Sequence, residues 1–314
     1  MMKDARKVLV AVDGSENAMD AVRYAGEILS PKNIRICLCH IHQEIPEAML
    51  DLKNMPGFHH QLAEIGSWRI QNKQKMDAFM TQAKETLADV GFTSKEVKTI
   101  IRKKRTGIAG DILEEAKDGY HAVFAGRRGL SRIKDLLIGG TANKLVGKAM
   151  RIPVVVVGRL ANASKVIVAF DGSKNAFKAV DRLAGLANPD KCEVEICHVI
   201  RSISSATSLG DVNVLPVEVE DTWMKESIRN IKPLIADAKK RLIKSGFEPE
   251  KVSVKILTHK PSRAFAIVEE AEAGEFGTIV VGRRGLTLVQ EFTMGRVGKK
   301  IVHAATDHSV WVVG

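Results

Sequence analysis

Lys7-Val8-Leu9-Val10-Ala11-Val12-Asp13-Gly14-Ser15 returns 158 residues later as Lys165-Val166-Ile167-Val168-Ala169-Phe170-Asp171-Gly172-Ser173. Each copy is a short, β-branched apolar run without alternation, the pattern of a parallel strand covered on both faces. Each run stops at Asp-Gly-Ser, which combines a turn with a helix-start signal. Working outward, Cys39-His40-Ile41 returns as Cys197-His198-Val199 at the same offset. Gly126-Arg127-Arg128-Gly129-Leu130 returns as Gly282-Arg283-Arg284-Gly285-Leu286 at an offset of 156, and Val155-Val156-Val157-Gly158 is matched by Trp311-Val312-Val313-Gly314. Four segments in one order at near-constant offset mark a duplication. A unit of about 155 residues is too long for a solenoid repeat and long enough to hold its own core. Two domains are expected, 1–160 and 161–314, with the boundary in Arg159–Ser164.

Within the first copy, strand-like runs sit at 7–13, 35–42, 97–103, 122–126 and 153–158, with helical patterns at 16–29, roughly 62–90, 109–118 and 141–150. The second copy repeats the order with strands near 165–171, 193–200, 252–259, 278–282 and 309–314. Strands alternating with helices imply right-handed crossovers, so each copy is expected to be an α/β domain with an open, doubly wound, five-stranded parallel sheet. Such sheets bind ligands outside the carboxyl ends of their strands, where the strand order reverses. The ends of the first, second and fourth strands are therefore where function is sought. The apolar runs at Val154–Gly158 and Ser309–Gly314 would leave two exposed edges. Pairing them inside one molecule is the economical arrangement, and a further homodimer of whole chains is compatible with it.

The 314 residues are 45% hydrophobic and 27% charged, which excludes a disordered or collagen-like chain. No apolar run reaches the ~18–20 residues of a membrane span, and no signal-peptide pattern opens the sequence. A cytoplasmic protein without membrane association is the expectation. The net charge of +11 favours anionic partners, with +8 falling in residues 1–160 and +3 in residues 161–314. Aromatic residues are only 5%, too few to stack single-stranded bases, so nucleic acid is not the expected partner. Arg102-Lys103-Lys104-Arg105 reads as a solvated strand end.

The chemistry-bearing residues gather at the fourth strand. Gly126 ends it, Gly129 follows, and Gly139-Gly140-Thr141 opens the next helix. Glycines allow close backbone approach, and successive backbone N–H groups joined to a helix N-terminus form a nest for phosphate. No Gly-Lys-Ser/Thr follows at Walker A spacing, and Asp13-Gly14-Ser15 has one glycine where a dinucleotide fingerprint needs three.

In this arrangement the chain resembles the universal stress protein family over nearly its whole length, twice. ATP-binding members carry Gly-x2-Gly-x9-Gly-Ser/Thr after the fourth strand and an aspartate ending the first. Gly126, Gly129 and Gly139 match, as do Gly282, Gly285 and Gly295. The hydroxyl position is Gly140 in the first copy, with Thr141 next, and Arg296 in the second. The resemblance implies a Rossmann-like sheet of the adenine nucleotide α-hydrolase type. It also implies binding of ATP, or of ADP or AMP, with Mg²⁺, in a stress-response or regulatory role without substantial turnover, at most weak ATP hydrolysis. On this basis Asp13 and the backbone around Val12 line the adenosine and metal side, with Asp13 the metal ligand. Ile41 meets the adenine through its backbone, while Gly126, Arg127, Gly129, Gly139, Gly140 and Thr141 hold ribose and phosphates. The second-copy counterparts are Asp171, Val199, Gly282, Arg283, Gly285, Gly295 and Arg296, with the first copy the better binder.

Plainer readings stand beside these. Asp13 and Ser15 suit a helix cap as well as a ligand site. The Arg127-Arg128 and Arg283-Arg284 pairs read equally as phosphate partners or as solvated loop charges. Arg296 either reaches a phosphate or fills the site. His40 and His198 read as satisfied strand-end histidines. Cys37 and Cys39 have no partner pair at zinc-ligand spacing. No nucleophile–base motif is present, so a catalyst is not expected. A slow ATPase and a nucleotide-free interaction protein are the alternatives.

Overall fold

The computed structural model describes residues 5–42, 59–129, 138–149, 151–159, 163–202, 217–285 and 294–314, without the side chains of 59–65 and 217. Most of the differing loops 43–61 and 202–218 and most of both nine-residue glycine spacers lie outside the described residues. The first domain runs β1 (Arg6–Ala11), α1 (Glu16–Ile28), β2 (Ile34–His42), α2 (His59–Asp89), β3 (Val97–Lys103), α3 (Ile108–Ala116), β4 (Tyr120–Gly126), α4 (Gly140–Lys148) and β5 (Val154–Val157). The second runs β6 (Lys165–Ala169), α5 (Lys174–Leu186), β7 (Glu193–Arg201), α6 (Val217–Lys244), β8 (Val252–Lys260), α7 (Arg263–Ala273), β9 (Thr278–Gly282), α8 (Arg296–Ala304) and β10 (Ser309–Val313).

The two five-stranded sheets join into one through their terminal strands, the pairing that the sequence favoured. Ten strands lie in the order β3-β2-β1-β4-β5-β10-β9-β6-β7-β8. Every pairing is parallel except the central one, where β5 and β10 meet antiparallel with Trp311 opposite Val155. Each domain thus has the order 3-2-1-4-5, and the second is turned about an axis through the β5–β10 seam.

Alternate residues of the buried strands face opposite layers. Val8 and Val10 point to a core layer completed by α1, α2, α5 and α6, whereas Leu9 points to one completed by α3, α4, α7 and α8. Both layers run through both domains, with Val166 and Val168 in one and Ile167 in the other. At the seam, Trp311 is fully buried edge-on to Phe124, with ring centroids 5.8 Å apart. Its Nε1–H donates to Tyr24 Oη at 2.8 Å, and that hydroxyl is 2.7 Å from Thr278 Oγ1. Tyr24 belongs to α1, so this network ties the two domains together. A Cβ on Gly158 would collide with the carbonyl oxygens of Asp307 and His308, so only glycine lets the chain pass there.

Candidate functional site

The Asp-Gly-Ser turns are built alike. Gly14 and Gly172 take φ of 84° and 77°, the left-handed region that favours glycine. Ser15 and Ser173 cap α1 and α5, accepting from Ala18 N and Ala176 N, each at 3.2 Å. Asp13 Oδ1 accepts from Ser15 N at 3.0 Å and from Ser15 Oγ at 2.6 Å. Its other oxygen faces the glycine loop, where a Cβ on Gly129 would collide with Asp13 Oδ2. Gly285 stands in the same relation to Asp171 Oδ2. The cap and ligand readings of Asp13 are therefore compatible: one oxygen orders the turn and the other faces the loop.

The remaining glycines close the cradle. A Cβ on Gly126 would strike the Asn17 carbonyl at the first turn of α1, and one on Gly139 would press on the Arg127–Arg128 backbone. Gly139 N donates to Arg127 O at 2.8 Å, bringing the N-terminus of α4 beside the end of β4. Gly140 and Thr141 are the first two residues of that helix, whose leading N–H groups have no partner within the helix. Gly295 and Arg296 repeat the arrangement at α8, with Gly295 N donating to Arg283 O at 2.8 Å.

Strand lengths open the crevice. The β1–β2 ladder ends at Ala11–Cys39, but β2 continues against β3 to His42. Ile41 therefore lies beyond the end of β1, inside β2, buried and in register with Arg102. His40 Nδ1 is 3.0 Å from Val12 O, and His198 Nδ1 is 2.7 Å from Phe170 O. Burial lowers the pKa of both imidazoles, so each is held neutral with Nδ1–H donating to that carbonyl. They are positioning groups for the backbone that borders the crevice.

In the second domain the crevice is a cleft of about 440 Å³. It is bordered by Asp171, His198, Val199, Gly282, Gly285, Gly295 and Arg296 among others, so every second-domain candidate lies on it. Arg296 borders this space without filling it. Arg201, Arg263 and Lys300 also line it, and the sequence reading did not single them out. A signal for Arg263 existed: it follows Pro261-Ser262 at a helix start, where the first copy has Ile108.

One expectation is corrected. Arg127 does not reach for phosphate. Its guanidinium crosses the seam and donates to the carbonyls of Val302 (2.7 Å), Ala305 (2.6 Å) and His308 (3.2 Å) at the end of α8. Arg283 reciprocates with Val146 (2.6 Å), Gly147 (2.6 Å) and Ala149 (2.8 Å) at the end of α4. Both are 2% exposed, and burial pulls the Arg127 pKa down to about 10 and lowers that of Arg283. The last carbonyls of a helix lack intrahelical donors and carry its negative pole, which suits a planar cation with five N–H groups. Arg283 borders the second cleft, but its guanidinium is spent on the seam.

No His, Cys, Asp or Glu cluster of three that could hold a metal ion exists among the described residues, and the carboxylates facing the glycine loops are Asp13 and Asp171. The four cysteines are buried and free, with burial raising the thiols of Cys39 and Cys197 to about 12, far from a reactive thiolate. Among the described residues, no helix is long and apolar enough to cross a membrane.

Comparison with known proteins agrees with this architecture. The model of the universal stress protein family matches twice, over residues 5–158 and 162–314. Universal stress protein Slr1230 of Synechocystis is 22% identical over 308 residues, covering 95% of this chain and 96% of that protein. Universal stress protein YxiE of Bacillus subtilis is 27% identical over 144 residues, 46% of this chain and 94% of that protein. The crystal structure of a universal stress protein from Archaeoglobus fulgidus superposes with a TM-score of 0.56 at 19% identity, covering 98% of this chain and 97% of that one. A duplicated 3-2-1-4-5 sheet, a glycine cradle in each half and two family matches that leave almost no residue outside them place this chain in the universal stress protein family, as a tandem member.

Proposed function

We propose that the chain binds ATP or a related adenine nucleotide in the crevices at the ends of β1, β2 and β4 and of β6, β7 and β9, and that it does so in a regulatory role without turnover. The observation that carries this reading is the apposition of a carboxylate oxygen and a glycine loop at a helix N-terminus, made identically by Asp13 with Gly129 and by Asp171 with Gly285. Backbone N–H groups there suit phosphate, while the carboxylate would repel a bare one. A divalent ion reconciles the two: Mg²⁺ is commonly held by one or two carboxylates plus substrate phosphates. Gly126, Gly129, Gly139, Gly140 and Thr141 would hold the phosphates, and the backbone of Val12 and Ile41 the adenosine. The two strand-end histidines are committed to backbone carbonyls, which argues against their serving as general bases. Nucleotide then acts as a ligand that stabilises one state of the protein and the surface it presents.

Thermal unfolding with Mg-ATP, with ATP and chelator, and without ligand tests the reading on wild type, Gly129→Glu and Gly285→Glu. At a hundredfold excess over Kd, Mg-ATP adds about 2.7 kcal/mol of stability. The shift should need Mg²⁺, fall in each variant and be accompanied by no phosphate release over hours. An unchanged wild-type transition would sink the proposal.

A further inference from the structure

The two domains share a glycine cradle but differ in charge at two helix starts beside it. Five cationic side chains line the second-domain cleft besides the seam-bound Arg283: Arg201, Arg263, Arg284, Arg296 and Lys300. Among the described residues that line it, Asp171 is the one acidic residue. Two of these cations sit where local physics disfavours them. Arg263 and Arg296 are the first residues of α7 and α8, at the positive pole of each helix, where a cation is disfavoured. Burial, with the charge of Arg201 added, holds the Arg263 guanidinium below the usual arginine range. Arg201 Nε is buried and finds no hydrogen-bond partner among the described residues.

The first domain shows that the fold does not require this. Ile108 is the first residue of α3, as Arg263 is of α7, and Gly140 the first of α4, as Arg296 is of α8. The same sheet and the same glycine cradle form around an uncharged pair. Self-repelling cations gathered against the helix dipoles, in a cleft of a ligand's size, are relieved by an anion of high charge. A monophosphate brings about two negative charges at neutral pH, fewer than the three positive charges of Arg201, Arg263 and Arg296, whereas a chain of phosphates brings more.

We propose that the second-domain cleft is a site for a linear chain of three or more phosphates, borne by a nucleoside or free, with Arg201, Arg263 and Arg296 selecting for phosphate number. For the position of the phosphates the inference rests on the proposed nucleotide site, and it adds a selectivity set by side chains that the first domain lacks, where Ile108 and Gly140 stand in place of Arg263 and Arg296.

Titration calorimetry on the full-length Gly129→Glu chain, which disables the first cradle, tests this with Mg-ATP, AMP and inorganic tripolyphosphate. The variants place first-domain residues in the second: Arg263→Ile, Arg296→Gly and both together, with circular dichroism to check folding. Mg-ATP and tripolyphosphate should bind at least about tenfold more tightly than AMP. Each substitution should weaken both by about tenfold while leaving AMP within about twofold, the size of one lost charge-assisted hydrogen bond. Equal affinity for ATP and AMP, with substitutions affecting neither, would overturn the inference while leaving the nucleotide reading intact. Tripolyphosphate binding that the substitutions weaken, with no binding of ATP or AMP, would identify free polyphosphate as the source and remove the nucleotide reading for this domain. Absence of binding by all three would overturn both.

Discussion

The seam and the crevices of this molecule follow opposite rules. At the seam the two halves do the same thing twice: Arg127 closes the carbonyl end of α8 and Arg283 closes that of α4, each with three hydrogen bonds. At the crevices the halves share their glycines and diverge in their side chains, Ile108 and Gly140 in one against Arg263 and Arg296 in the other. Buried helix ends explain the first rule. Carbonyls shut away from water must find donors, so nothing short of another planar multi-donor cation replaces either arginine. Side chains at a solvated crevice carry no such obligation, and charge there is free to follow the ligand.

The largest effect should come from breaking the symmetric half of this comparison. Arg127→Ala and Arg283→Ala each strip donors from three carbonyls, and hydrogen bonds to charged groups are worth about 1.5–3 kcal/mol. A loss of about 3 kcal/mol or more in urea unfolding is expected for each, with the two nearly equal. Lysine should restore only part of it, because its single head cannot span the three acceptors. A marked inequality between the two alanine variants would show that the seam is not symmetric in energy.

A smaller effect sharpens a place where the seam is visibly asymmetric. The Trp311–Tyr24–Thr278 network has no counterpart on the other side, where Val155, Arg182 and Ala122 take the matching positions in the repeat. Trp311→Phe removes the donor to Tyr24 while retaining the aromatic contact with Phe124. It should cost about 1–2 kcal/mol by chemical denaturation, and an unchanged midpoint would show that the bond to Tyr24 carries no net stability. Burial also keeps the Tyr24 phenol protonated through the physiological range and beyond.

The smallest expected effect is on pH dependence. Burial lowers the pKa of His40 and His198 at the crevices and of His121 and His308 near the seam below the ordinary 6.5. The unfolded chain then takes up protons before the folded one does, so stability rises with pH in this range. These groups contribute fully above about pH 6.5, and the contribution is lost as pH falls below it toward the folded values. Melting temperatures recorded from pH 8 to pH 5 should decline below 6.5 at low salt. His40→Asn and His198→Asn should flatten the decline to similar extents, since the two histidines make the same contact in the two halves.

The ten strands, the Asp-Gly-Ser turns and the spacing of the motif glycines were legible in the residues themselves. Strand formation, capping and positive φ are local requirements, and the duplication displayed each of them twice. Gly126, Gly129 and Gly139 owe their places to neighbours that the 3-2-1-4-5 order brings close in any such sheet. The role of Arg127 was not legible in that way. Beside Gly126 and Gly129 its guanidinium looks like a phosphate ligand, yet its acceptors lie at Val302, Ala305 and His308, about half the chain away. Whether that side chain turns into its own crevice or across to the other half depends on β5 and β10 joining two sheets into one. Arg201, Arg263 and Arg296 show the same limit: they are far apart in sequence, and only the folded strand and helix ends bring their charges to one cleft. Local backbone chemistry is written residue by residue, whereas the partners of a long charged side chain are set by which surfaces the tertiary structure brings together.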